Sequence, residues 1–275
     1  MFSAISWTLG GLALIVGIVV LGALFLPSPF KVDDASVSDP TVVDLNAIDL
    51  PDPAKHYFES ISDALPQTDT AVIWGRGRVR NGSIWMPIRF KAYIDNNNGP
   101  EMSRYTEVTW YNVSLLRSVD YYIDGEGALI GDGAAKLFDE GPMATQAEFS
   151  SIWAQMVTMP SMFLTSPNTS WGELDATSSE FTLPSLNDER DMLTFHFDEA
   201  GLVESISTSR YRVEDKVRMP WRVKFSNWKT FDQIGVPARH EFMWEDTGAY
   251  VIFDVEGIVY HINPSANMKR DLPPT

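Results

Sequence analysis

Residues 142–164 read PMATQAEFSSIWAQMVTMPSMFL, and this stretch decides the fold because it interrupts the period of two that governs the chain on both sides of it. Phe149, Ile152, Trp153, Met156 and Met159 recur at spacings of three and four, which predicts a helix with one apolar stripe until Pro160 interrupts it. On either side the text alternates. In residues 83–92, Ile84, Met86, Ile88 and Phe90 fall on one face and Trp85, Arg89 and Lys91 on the other, as a half-buried strand requires. The same alternation returns in Val72 and Trp74; in Thr106, Val108 and Trp110; in Leu193, Phe195 and Phe197; in Trp221, Val223 and Phe225; in Phe242 and Trp244; and in Val251, Phe253 and Val255. Turn text separates the runs, such as Asp198-Glu199-Ala200-Gly201 and Asp246-Thr247-Gly248. Roughly nine or more antiparallel strands with one inserted helix make an α+β chain, and a sheet of that size curls around the helix as its filling.

Toward the N-terminus the character changes. Asp52-Pro53, a capping residue followed by proline at the first helical position, leads into Ala54, Tyr57, Phe58, Ile61 and Leu65 at helical spacing, a short amphipathic helix ending near Pro66. Residues 31–51 before it are polar, rich in Asp and without a sustained period, and read as a tether. Residues 1–30 carry no Asp, Glu, Lys or Arg, and residues 7–26 (WTLGGLALIVGIVVLGALFL) are apolar or small almost throughout. As a helix that run reaches about 30 Å, the thickness of a bilayer's hydrocarbon core, so it reads as a transmembrane anchor. No basic residue precedes it and Leu24-Phe25-Leu26-Pro27 lacks a small-x-small exit, so a cleaved signal fits less well. The expected organisation is an anchor over 1–30, a polar tether over 31–51, a β-rich soluble domain over 52–265 and a tail over 266–275. An early single span after a short tail places the soluble domain outside the cytoplasm, although the basic-residue rule has only Lys31 to count.

Composition excludes more than it assigns. Lys and Arg total 21 against 37 Asp and Glu, a formal charge of −16, so a phosphate backbone is repelled and nucleic acid is not an expected partner. The chain has no cysteine, which removes disulfides, thiolate nucleophiles and thiolate metal sites. His56, His196, His240 and His261 sit on separate elements without metal-ligand spacing, so no metal and no cofactor is expected. There is no G-x-S-x-G elbow, and Gly75-Arg76-Gly77, Gly125-Glu126-Gly127 and Gly131-Asp132-Gly133 read as turns or bends in the sheet rather than phosphate loops. The chemically capable pairs are His196 with Asp198, Asp124 with Glu126, and Glu245 with Asp246, and acidic pairs arise by chance among 37 carboxylates.

The central helix from Glu148-Phe149 through Ala154-Gln155 to Val157 and Pro160, then Trp171, Arg210-Tyr211-Arg212, Pro220-Trp221, Gly235-Val236-Pro237 and Trp244, resembles in order and spacing an uncharacterised prokaryotic domain-of-unknown-function family. The resemblance covers roughly Tyr57 to Asn263 and implies a curved antiparallel half-barrel wrapped over a helix, similar to lipoprotein-localisation-factor domains. It implies no catalytic residue; the shared residues are fold markers. Where family members place an Arg, a Glu and a Trp on the central helix, this chain has Ser151, Gln155 and Thr158, so a polar site built from those residues is expected to be lost here.

The remaining signal is apolar: nine Trp, fifteen Phe, nine Tyr and eleven Met, with Met143, Met156, Met159 and Met162 on or next to the central helix. Flexible, polarizable methionine suits both a core and a lid over an apolar pocket. The leading expectation is a non-enzymatic, membrane-anchored module that holds a lipid or other hydrophobic molecule, with Trp110, Trp153, Met156, Met159, Phe163, Trp221 and Trp244 lining the space. The alternatives are an envelope hydrolase using a carboxylate or His–Asp pair, and a non-catalytic envelope protein presenting its acidic surface to a partner.

Overall fold

The computed structural model describes residues 17, 21, 22, 24–37, 41–97, 99–133 and 137–268. Thirteen strands among them form one sheet in which every neighbouring pair is antiparallel. The first meander is β1 (Thr70–Asn81), β2 (Ile84–Asp95), β3 (Glu101–Trp110), β4 (Val113–Ile123), β5 (Glu126–Gly133) and β6 (Leu137–Asp139). The second is β7 (Ser170–Asp175), β8 (Ser178–Thr182), β9 (Met192–Phe197), β10 (Val203–Arg212), β11 (Val217–Phe231), β12 (Ile234–Trp244) and β13 (Gly248–Tyr260). All pairings but one are between consecutive strands; the exception, β1 with β13, joins the two meanders.

Between β6 and β7, the sheet's two outer strands, runs the helix that the three-and-four spacing predicts. It spans Pro142–Gln155 and is α2 in chain order, followed by a tight turn at Met156–Thr158 and a short helical turn at Met162–Thr165. Helix α2 packs against β4 and β5 of the first meander and β10 of the second. One helix touching both halves of the same sheet requires the sheet to bend around it, and no pairing joins β6 to β7, so the result is an open half-barrel. The expected single apolar stripe is too narrow a reading: every residue from Ala144 to Gln155 is buried, including Thr145, Gln146, Glu148, Ser150 and Ser151. A helix enclosed by its sheet has no solvent face.

The strand faces follow the alternation. Ile88 and Phe90 point into the concave core while Arg89 and Lys91 lie on the outer face. Ile84 departs from it and is exposed, because it begins β2 at the hairpin turn. Gly127 on β5 sits directly under α2: a Cβ there would lie 2.9 Å from Thr145 Cα and 3.0 Å from Glu148 Cβ. Its missing side chain lets the helix approach the sheet, and its N–H donates to Thr145 Oγ1 at 3.1 Å.

The first helix, α1, covers Asp52–Ile61 and ends four residues before the apolar spacing does, at an extended Ser62. With the 156–165 segment it closes one end of the half-barrel, where Tyr57, Phe58, Trp153, Phe163, Phe181 and Phe195 are all fully buried.

Within the segment read as a polar tether, the described residues 31–37 and 41–51 make backbone and side-chain contacts to the rest of the chain. Val37 N–H donates to His261 carbonyl at 2.8 Å, Val43 N–H to Leu65 carbonyl at 2.9 Å, and Tyr93 Oη to Asp34 at 3.2 Å, while Leu45 and Leu50 pack on the core. The segment is strapped to the sheet by backbone hydrogen bonds, which composition does not reveal. Near the other end of the described residues, Met268 is buried against Val72 and Ile262 in a small cluster on the outer face. Of the apolar run 7–26, Gly17, Leu21, Gly22 and Leu24 are helical and the greater part lies outside the described residues. No helix among the described residues is long and apolar enough to cross a membrane.

Candidate functional site

The antiparallel register puts the β1–β2, β3–β4, β10–β11 and β12–β13 turns at the same end of the half-barrel, opposite the end closed by α1. At this end the helix and sheet do not meet completely. A cleft of about 630 Å³ opens there, bordered by Val79, Met86, Val108, Leu115, Leu116 and Leu129, with Ala144 of α2 and Trp244 across from them. It continues into an inner chamber of about 230 Å³ bounded by Ile88, Phe242, Tyr250, Val251 and Phe253. The cleft alone is of the size that small-molecule sites occupy, about 300–1,000 Å³.

The walls are apolar, and the floor is charged. Arg104 and Asp120 face each other across the β3–β4 register, and the guanidinium forks onto the carboxylate, its Nε donating to Oδ1 at 3.1 Å and its Nη2 to Oδ2. Arg104 Nη1 donates to Gln155 Oε1, and the Gln155 amide donates to the Ser151 carbonyl at 3.0 Å. Phe253 stacks on the Arg104 guanidinium at 4.3 Å from its ring centre. This ion pair is fully tied down, as a buried pair must be.

The second charge pair is looser. Glu148 on α2 and Arg210 on β10 both border the cleft and the chamber, both are nine-tenths buried, and they approach only to 3.9 Å. Arg210 is held by rings instead, 4.8 Å from Trp221 and 5.5 Å from Trp244, which are cross-strand partners on β11 and β12. Trp221 Nε1 donates to Tyr250 Oη at 3.0 Å, which fixes the indole. No hydrogen bond to the Arg210 guanidinium is found among the described residues, and its buried Nε has no partner. Burial, with repulsion from Asp120, pushes the Glu148 carboxyl up to about 7 against the opposing pull of Arg210 and Arg104. His240 on β12, buried and turned toward Arg104, is held down at about 4, its Nε2 lying 3.0 Å from the Pro237 carbonyl.

The residues expected to line an apolar space are divided by the structure. Trp244 borders the cleft and Trp221 stands directly behind Arg210. Trp153, Met156, Met159 and Phe163 are sealed in the closed end, where Trp153 meets Phe181 at 5.6 Å and Phe163 meets Phe195 at 5.1 Å between ring centres. Trp110, at the end of β3, packs against Tyr111, and its indole lies where a side chain on Gly22 would be.

The acid–base pairs do not assemble. Asp198 accepts hydrogen bonds from the N–H groups of Ala200 and Leu202 in its own turn, and His196 lies between Ser178 Oγ and Ser207 Oγ at 3.3 Å from each. Glu245 pairs with Arg222 and Asp246 with Arg212, and Asp124 sits in a tight turn at positive φ. Among the described residues no group of three or more His, Asp and Glu could hold a metal ion.

Arg104, Asp120 and Tyr250 carry no mark in the sequence analysis, and Glu148 and Arg210 stand there as fold markers alone. Glu148 is the one charge in an otherwise uncharged helix, and Arg104 shares the inward face with Met102, Thr106 and Val108; an isolated charge in an apolar register was the available signal. Of the three positions where the chain differs from the family's central helix, Ser151 borders the chamber and Gln155 is a hydrogen-bond partner of Arg104. Thr158 only donates to the Gln155 carbonyl, at 2.9 Å.

Among solved structures, the chain is similar to a DUF1329 family protein from Desulfovibrio piger at 10% identity and a TM-score of 0.43, over 81% of this chain and 93% of that one. It is similar to a putative outer membrane lipoprotein-sorting protein domain from Vibrio parahaemolyticus at 11% identity and 0.41, over 70% and 85%. A LolA superfamily protein from Nitrosomonas europaea matches at 8% and 0.44, over 80% and 97%. These likenesses concern overall shape, and no role is read from them. No curated protein matches the chain. The central helix, the charged floor and all of the half-barrel except the last residues of β13 fall within residues 41–255, the part matched by the family of unknown function DUF6544, and the chain belongs to that family.

Proposed function

We propose that this protein is a membrane-tethered binding protein, acting outside the cytoplasm, that takes a lipid-like molecule into the cleft between α2 and the sheet and performs no chemistry on it. The observation that carries this reading is the cleft itself: about 630 Å³ of largely apolar space, open at one end and backed by an inner chamber. Its position supports the tether. Phe25 lies 5.9 Å from Tyr111 at the β3–β4 turn, so the described C-terminal end of the apolar run stands at the same end as the mouth. Exposed Leu24, Phe25, Leu26, Tyr111, Val113 and Leu115 give that end an apolar rim. With residues 7–26 in a bilayer, the rim rests against lipid and the mouth faces the source of the ligand.

The test is to express the full chain in a bacterial membrane, extract it in mild detergent, and identify apolar molecules that remain bound by organic extraction and mass spectrometry. Leu116 borders both cavities and is half-buried, so Leu116→Trp fills the space with little strain. Wild type is expected to carry a stoichiometric lipid-like molecule and Leu116→Trp to have lost it. Equal, substoichiometric carry-over in both would end this reading.

A further inference from the structure

On the cleft floor the Arg104 guanidinium is satisfied by its neighbours, whereas Arg210 and Glu148 approach only to 3.9 Å and make no hydrogen bond to each other. Asp120 and Gln155 take the Arg104 guanidinium, and Ser151 takes the Gln155 amide. The Arg210 guanidinium has two aromatic faces, a carboxyl at 3.9 Å and a buried Nε without a partner. A buried guanidinium in this condition lacks an acceptor, and a planar two-oxygen anion is the group its fork fits.

We propose that the junction of cleft and chamber is a headgroup site for a long-chain monocarboxylic acid, whose carboxylate pairs with the Arg210 guanidinium beside Glu148. This rests on the cleft being a lipid site and names the ligand class. The hydrocarbon tail lies along Val79, Met86, Val108, Leu116 and Leu129 toward the mouth. A cationic head would meet Arg104 and Arg210 together, and a phosphate dianion would place two charges beside Asp120 and Glu148. A single carboxylate matches one open guanidinium. A neutral hydroxyl leaves the cation uncompensated.

The charges facing Glu148 set when this occurs. They are Asp120 from β4 and Asp139 from β6, which favour its protonated form, and Arg210 from β10 and Arg104 from β3, which oppose it. Tyr250 from β13 borders the same space, Ser151 lies one turn on along α2, and His240 from β12 faces Arg104. When Glu148 loses its proton it competes with the ligand for Arg210, so acid binding weakens as pH rises. The mouth carries Asp139 and Glu214 against Arg80, a negative balance that does not favour an anion arriving from bulk water.

The experiment is native mass spectrometry of the full chain, released from non-ionic detergent, with palmitic acid and hexadecanol titrated in parallel at pH 6.5 and 8.5. Wild type is expected to prefer the acid about tenfold or more at pH 6.5, the scale of one charge-assisted hydrogen-bonded pair, and by less at pH 8.5. Arg210→Gln is expected to bind both ligands equally. Glu148→Gln, which cannot ionise, is expected to keep the preference at both pH values, and this variant decides the matter where Arg210→Gln does not fold. Equal binding of acid and alcohol by wild type, a preference that survives in folded Arg210→Gln, or one that disappears in Glu148→Gln, overturns the headgroup site and leaves the cleft reading standing. Binding of neither ligand overturns both.

Discussion

The two ends of the half-barrel share the same strands and the same helix, and they are filled in opposite ways. At the closed end α1 and residues 156–165 plug the space, and Trp153, Phe163, Phe181 and Phe195 interlock with ring centres 5.1 to 6.2 Å apart. Beneath the end of α2 the remaining void is about 20 Å³, room for a single water molecule. At the open end no element plugs the sheet, and the helix presents Glu148 and Ser151 where it could have presented apolar residues. The contrast separates two jobs that a stripe of aromatics and methionines cannot separate in sequence: one end holds the fold together, and the other holds space.

If that division is right, substitutions should divide the same way. Trp153→Ala at the closed end removes a fully buried indole from a tightly packed cluster, and a loss of about 3–5 kcal/mol is expected in chemical denaturation. Leu129→Ala at the open end, where space already exists, is expected to cost less than about 1.5 kcal/mol. Comparable losses at the two positions would erase the distinction.

The charged floor offers a sharper cut. Asp120→Ala leaves Arg104 buried without its carboxylate, and about 3–5 kcal/mol of stability is expected to go with it, whereas Arg104→Met combined with Asp120→Leu is expected to fall within about 1–2 kcal/mol of wild type. A double variant as unstable as the single one would show that the pair organises more than its own charges.

The smallest effect is in pH dependence. Glu148 in the folded chain sits near 7, above the ordinary carboxylate value, so between roughly pH 4.5 and 7 the folded state holds a proton that the unfolded state has released. Its contribution to stability is therefore fully present at the acid side of that window and is lost as pH rises through it. His240, held down at about 4, acts with the opposite sign: its contribution is present above about pH 6.5 and is lost as pH falls toward 4. Relative to wild type, Glu148→Gln should gain about 2–6 °C in Tm between pH 5 and pH 8. A constant difference across that range would mean that Glu148 titrates as an ordinary surface carboxylate.

Much of the architecture was legible because burial on one face imposes a period. Ile88 and Phe90 against Arg89 and Lys91 announce a strand, and Phe149, Ile152, Trp153 and Met156 announce a helix. What the period cannot announce is enclosure. Gln146 and Ser150 of α2 read as solvent-facing and are buried, because the sheet wraps them and Asp191 and the backbone N–H of Tyr211 bond to Gln146. Residues 31–51 were opaque for a different reason, since backbone hydrogen bonds such as that of Val43 to Leu65 leave no side-chain signature. The site was hardest, because Arg210 and Glu148 lie 62 residues apart and meet only when the second meander folds back across the helix; Arg210 was visible merely as part of a fold-marking Arg-Tyr-Arg.

Photo-cross-linking tests the division of the half-barrel most directly. The full chain, reconstituted in lipid vesicles, is exposed to a long-chain acid bearing a terminal diazirine, irradiated and mapped by peptide mass spectrometry. Adducts are predicted on residues 79–86, 108–116 and 244–250, around the open end, with Trp153 and Phe163 unlabelled. Labelling spread over the outer face of the sheet, or centred on the closed end, would contradict the claim that one end of this fold is kept open for a ligand.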